Sequence, residues 1–308
     1  MKILKNLYSN SGILAFILTI FAVLGCSIGF GDQKPDKPAS PATDKRSSAL
    51  STDDASAIKK ATTTSKKSNA ASENSDNGDF VPVYAELQNE KYAAFNERFK
   101  QQKVVEGITD ALNQSFALPA DVQITFRDCG VANAWYQPQT KTITFCYEFM
   151  ELFYTKAIEM GKSEDEANRI MIGATLFFFF HELGHCLVDV YELPATGREE
   201  DAVDQLSMLI LMETMDEDGQ YSAASGAIIF KALAENEEAS ERTFSNEHSL
   251  SSQRFYNLVC WMYGKDPNQF GSLVTDGTLP EQRAGRCPDE YQKMSKAWEK
   301  LITPWIKK

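Results

Sequence analysis

Histidine is scarce in this chain of 308 residues, which holds only three. None of its six cysteines stands in a Cys-x-x-Cys spacing, which weakens any reading of them as zinc ligands. Basic residues are also short, at 31 against 43 acidic, for a net charge of −12. Residues 81–308 hold the whole deficit, with 21 basic and 35 acidic side chains. Such a surface repels phosphate backbones, because nucleic-acid affinity comes mainly from Lys and Arg neutralising phosphates, so DNA and RNA are poor partners. No internal repeat is visible. At 24% charged and 43% apolar residues, the composition excludes collagen-like, wholly disordered and multi-span membrane chains and predicts a folded core.

The amino terminus does not belong to that core. Lys2 and Lys5 precede an apolar run, Gly12 to Gly25, that is shorter than the ~20 residues of a membrane-spanning helix and has the form of an export signal. Its end, Val23-Leu24-Gly25-Cys26, resembles the lipobox of bacterial lipoproteins. That resemblance implies a signal peptide over 1–25 and acylation of Cys26, which would anchor the chain to a membrane by lipid. Ser27 in place of Asp looks like an outer-membrane address if the host has two membranes. The competing expectation is an uncleaved anchor reaching Phe30. Residues 26–80 are rich in Ser, Ala, Thr, Lys and Asp, cannot form a buried face, and read as a disordered linker. One domain is expected over 81–308.

Export permits disulfides. Cys186 sits inside an apolar helical run and is most simply a buried thiol, which leaves Cys129 with Cys146 and Cys260 with Cys287 as local pairs.

Two of the histidines stand in His181-Glu182-Leu183-Gly184-His185, the H-E-x-x-H pattern of zinc hydrolases. At these residue frequencies chance would place the pattern in the chain roughly two times in a thousand. On a helix, residues i and i+4 share a face, so both imidazoles reach one tetrahedral ion while Glu182 stands beside it. The setting is helical: Ser163-x-x-Glu166 reads as a capping box, and Ile170, Met171, Leu176, Phe177 to Phe180 and Leu187 make the helix apolar all round. A pair of core histidines is the competing reading, and it would leave a buried polar cluster unsatisfied.

A catalytic zinc needs a third protein ligand and an open position. Val188 and Tyr191 stand where the metzincin pattern has Gly and His, which excludes that scheme. Downstream, Thr196-x-x-Glu199 forms a second capping box that assigns Glu199 to a helix start and leaves Glu200 to face the metal. Asp204, one turn on, is placed to accept the second ring N–H of a ligating histidine. Asp189, Glu192, Glu199 and Asp201 compete as third ligand, and Glu200 is favoured. The Glu200-x-x-x-Asp204 pair looks like the gluzincin third-ligand motif.

HELGH, Arg198 to Gln205, the stretch Ala132 to Glu148 and the stretch Glu247 to Gly264 together resemble an uncharacterised bacterial family of zincin-like zinc metallopeptidases. The resemblance spans roughly residues 84–305. It implies a zincin-like fold and one Zn2+ per chain more than any substrate.

Val122, Ile124 and Phe126 alternate with polar residues, as do Ile143 and Phe145, giving two strands joined through Tyr136-Gln137-Pro138-Gln139 as a hairpin or short sheet. In zincin-like folds such an edge pairs with an extended peptide. His248, near a helix start, is a candidate catalytic donor to a developing oxyanion, or a surface residue beside a capping Ser249. Tyr136, Tyr147, Tyr256 and Arg254 are further oxyanion candidates, although aromatics at these spacings read better as core. Pro288 to Ile302 reads as a packing helix closed by Pro304.

The expectation is therefore an α+β, mostly helical zincin-like domain with a small sheet before the active helix. It would be exported and lipid-anchored, with His181, His185 and Glu200 on zinc, Glu182 as general base and a peptide or protein as substrate. The alternative is a zinc-stabilised envelope binding or assembly protein that cleaves nothing.

Overall fold

The computed structural model describes residues 76–214 and 217–307. The expected signal segment 1–25, Cys26 and most of the linker 26–80 lie outside the described residues. The described residues just ahead of 81 already contact the domain: Asn77 N–H donates to the Leu118 carbonyl at 2.8 Å, and Asp76 pairs with Lys307 at 2.7 Å.

The architecture is α+β and mostly helical, with a four-stranded sheet among the described residues: β1 (Phe80–Pro82), β2 (Val122–Arg127), β3 (Ala134–Gln137) and β4 (Thr142–Cys146), in the spatial order β1-β2-β4-β3. Strand β1 (Phe80–Pro82) is followed by α1 (Ala93–Gln101) and α2 (Val104–Ser115). Helix α2 buries Val104, Val105, Ile108, Ala111 and Leu112, the spacing of one helical face. Strand β2 (Val122–Arg127) pairs parallel with β1 and with β4 (Thr142–Cys146), while β3 (Ala134–Gln137) pairs antiparallel with β4.

Of the hairpin or short sheet expected here, the short sheet forms, and the connection through Tyr136 to Gln139 is corrected. The two alternating strands run side by side in the same direction, and Tyr136 and Gln137, placed in their connection, belong to a third strand at the sheet edge. Ala134-Trp135-Tyr136-Gln137 has no apolar/polar alternation and buries mainly Ala134, so period two is silent there.

Strand β4 runs directly into α3 (Tyr147–Glu159), and α4 (Glu164–Val190) is the central element. Ser163 caps α4 by accepting the Glu166 N–H, and three acids in the first turn favour the helix dipole. The reciprocal half of the expected box is missing, because the Glu166 carboxylate pairs with Lys162 at 2.6 Å. By length and composition α4 could cross a membrane, yet 94% of its most apolar window is buried inside the domain, as in a core helix. Sheet and helices wrap it: Phe126 and Phe145 pack at 5.3 Å, and Phe179 meets Phe126 at 6.0 Å. Each fully buried Phe contributes roughly 1.5–3 kcal/mol by leaving water.

Helices α5 (Glu199–Thr214), α6 (Glu217–Ala234), α7 (Glu241–Phe244) and α8 (Ser251–Lys265) cover the other side, followed by α9 (Ser272–Thr275), α10 (Glu281–Ala284) and α11 (Cys287–Ile302). Gly184 lets α5 approach α4 closely, since a Cβ there would lie 2.7 Å from Val203 Cβ. Cys129 is bonded to Cys146 and Cys260 to Cys287, and Cys186 is a buried free thiol.

Candidate metal centre

The last three turns of α4 carry His181, Glu182 and His185, and the first turns of α5 carry Glu199, Glu200 and Asp204. The close approach at Gly184 and Val203 brings these two sets face to face. His181 Nε2 lies 3.2 Å from Glu200 Oε2 and 3.3 Å from His185 Nε2, which is 3.3 Å from Glu200 Oε1. Ligands ~2.0–2.1 Å from a tetrahedral ion stand about 3.3 Å from one another, so these separations, one to each oxygen of Glu200 and one between the rings, match the spacing of zinc ligands.

The chemistry of the donors matches that geometry. His181 Nδ1 is 2.8 Å from Asp204 Oδ1, and His185 Nδ1 is 2.7 Å from Glu199 Oε1. A carboxylate accepts only, so each Nδ1 carries the hydrogen, and in its neutral form each ring turns a bare lone pair toward the other. Two facing lone pairs repel unless a cation stands between them. Glu200 Oε2 is buried and has no hydrogen-bond partner, although two imidazole nitrogens lie within 3.2 Å. These donor atoms are crowded together in a buried wall with acceptor facing acceptor, and the residues fit a divalent ion.

The electrostatics agree. Burial opposes protonation of His181, but Asp204 and Glu200 outweigh it and lift its pKa to about 9. Burial pushes the Glu200 carboxyl up, and the imidazoles of His181, His185 and His248 more than reverse this, holding it far below the usual carboxylate range. The pocket demands positive charge.

The other acids weighed as third ligand are engaged elsewhere. Asp189 accepts the Tyr136 hydroxyl at 2.7 Å and faces Lys141 at 3.6 Å. Asp201 accepts the Ser249 hydroxyl at 2.8 Å. Glu192 is exposed beyond the end of α4. Glu199 is not spent on capping, as its spacing from Thr196 suggested; its carboxylate holds His185. Ser249 does not cap α8, which begins at Ser251.

Glu182 is buried beside the donors, and its Oε2 accepts the Tyr136 N–H at 2.9 Å. His248 Nε2 lies 3.1 Å from Glu200 Oε2 at the outer rim. Among the oxyanion candidates, the Tyr147 hydroxyl donates to Asn96 inside the core and Tyr256 is exposed away from the cleft.

Arg254 is where the sequence reading fell short most. It is buried, donates to both Asp204 oxygens at 2.7 and 2.6 Å, and lies over the Phe230 ring at 4.2 Å. The signal was present: Arg254 shares a helical face with Leu258 and Trp261, and a charge on a buried stripe requires a buried partner. The site opens into a cleft of about 670 Å³ between β3 on one side and the segment Asn246 to Ser251 on the other.

Residues 84–302 match a family described as "Putative metallopeptidase". No curated protein and no solved structure matches the chain.

Proposed function

From the premise that the chain belongs to this metallopeptidase family, we propose that it is a zinc-dependent peptidase of the cell envelope, held there by lipid on Cys26. The observation that carries the zinc reading is the close spacing of donor atoms on His181, His185 and Glu200. When bound there, zinc supplies a Lewis acid that polarises the scissile carbonyl and acidifies water.

The chain's own residues do the rest. Asp204 and Glu199 fix the two imidazoles in the Nδ1–H tautomer, which keeps both Nε2 atoms available. The Tyr136 N–H holds Oε2 of Glu182, leaving Oε1 to take the proton of the attacking water and return it to the leaving amine. Cys146 N–H donates to the Asn133 carbonyl, so by alternation Ala134 and Tyr136 turn their main-chain groups away from β4. With the Tyr136 N–H taken by Glu182, the remaining groups of that edge border the cleft and support addition of an extended peptide as a further strand.

Replacing Glu182 by Gln keeps size and packing but removes the base. Zinc content by mass spectrometry should stay at one per chain, while cleavage of a denatured protein falls at least ~100-fold. Retained cleavage would sink the mechanism. A wild-type protein that binds zinc yet shows no chelator-sensitive cleavage would favour the non-catalytic envelope binding protein.

A further inference from the structure

His248 is used neither by the base Glu182 nor by the three-donor set, yet its ring repeats their electronic pattern. Its Nδ1 lies 3.1 Å from Asn246 Oδ1, and the same oxygen accepts the His248 N–H at 3.0 Å. The second bond fixes that amide atom as oxygen, so Nδ1 carries the hydrogen and, in the neutral form of the ring, Nε2 is bare. That Nε2 lies 3.1 Å from Glu200 Oε2. A protonated nitrogen aimed at the oxygen would give it a hydrogen bond, and Glu200 Oε2 has none. The two atoms therefore stand beside one another, as ligands of one ion do. His181, Glu200 and His248 each offer a donor atom within 4.8 Å of the others.

All three histidines of the chain thus spend Nδ1 on an oxygen, of Asp204, Glu199 or Asn246, and leave Nε2 bare near Glu200. We propose that His248 Nε2 is a fourth protein donor to the ion, which closes the resting site until substrate displaces it. This rests on the zinc reading above. A zinc with four protein ligands has no open position, whereas a catalytic one keeps a position free. Of the three rings His248 is the one built to leave. Its side chain is 44% exposed against 4% and 18% for His181 and His185, and its partner is a neutral amide rather than a carboxylate.

The test compares wild type with His248→Ala in the full chain, by two readouts that do not depend on turnover. Zinc affinity is measured by competition with a chromophoric chelator. The open position is probed by adding azide to the cobalt(II)-substituted protein and following its visible absorption. The proposal expects zinc affinity to fall at least ~10-fold in His248→Ala. It also expects azide to perturb the variant at concentrations at least about ten times lower than wild type, because four protein ligands leave azide no position until one is displaced. Equal zinc affinity, with azide binding wild type as readily as the variant, overturns it and leaves His248 as an oxyanion donor or a rim residue. Wild type that binds neither metal overturns the zinc reading itself, a different result from wild type that binds zinc with no help from His248.

Discussion

The deep wall of the candidate metal centre and its outer rim hold the same kind of side chain, an imidazole, by different physics. On the deep side, His181 leans on Asp204, which leans on Arg254, with side chains 4%, 2% and 8% exposed. Burial pushes the Asp204 carboxyl up, but the Arg254 guanidinium beside it prevails and keeps it ionised below the usual range. At the rim, His185 leans on Glu199, whose side chain is 43% exposed, and His248 on the amide of Asn246. Water screens the rim contacts and not the deep ones. The deep wall should therefore couple metal binding to folding, while the rim adjusts metal binding with little consequence for the fold.

Removing Arg254 should break this comparison most forcefully. Arg254→Ala strands the Asp204 carboxylate without its cation in a buried place, a change that costs about 3–5 kcal/mol. Chemical denaturation of the ion-free protein should show that loss. Replacing the pair together, Asp204→Leu with Arg254→Met, should cost less than Arg254→Ala alone, because no lone charge is left inside. A single variant destabilised by under ~1 kcal/mol would mean that water reaches the deep wall after all.

That wall was only half legible in the sequence. His181, Glu182 and His185 announced themselves because the i, i+4 spacing is itself the geometry of a shared ion. Glu200 and Asp204 followed from the same one-turn logic on α5. Arg254, fifty residues further on, reaches Asp204 only through the packing of α8, and no local period encodes that meeting. Glu199 was misread because a capping box and a histidine support have the same local pattern, and only the position of His185 decides between them. In the fold, the alternating strands β2 and β4 were visible, whereas β3 was hidden because an edge strand beside a cleft buries too little to alternate.

Glu199 sharpens the comparison from the rim side. In Glu199→Ala the His185 ring loses its tautomer partner, so zinc affinity should fall about 10–100-fold. Stability of the ion-free protein should stay within about ±0.5 kcal/mol, the range of ordinary surface changes. Competition titration and denaturation of one preparation give both numbers. A stability loss matching that of Arg254→Ala would erase the distinction between wall and rim.

The smallest expected effect lies at the tether of the rim segment. The Ser249 hydroxyl donates to Asp201 Oδ1 at 2.8 Å, and one residue away sits His248. In Ser249→Ala this charge-assisted bond is lost where water can replace it, so the global cost should stay under ~1 kcal/mol. The change should instead be local. Amide hydrogen exchange at residues 246–250 should quicken while that of α4 and α5 stays unchanged, because local opening draws on the few contacts holding this segment and not on the core. Slowed or unchanged exchange at 246–250 would show that other contacts hold the rim. Quickened exchange in α5 as well would show that Asp201 transmits the loss to the helix bearing Glu200, so that rim and wall act as one unit.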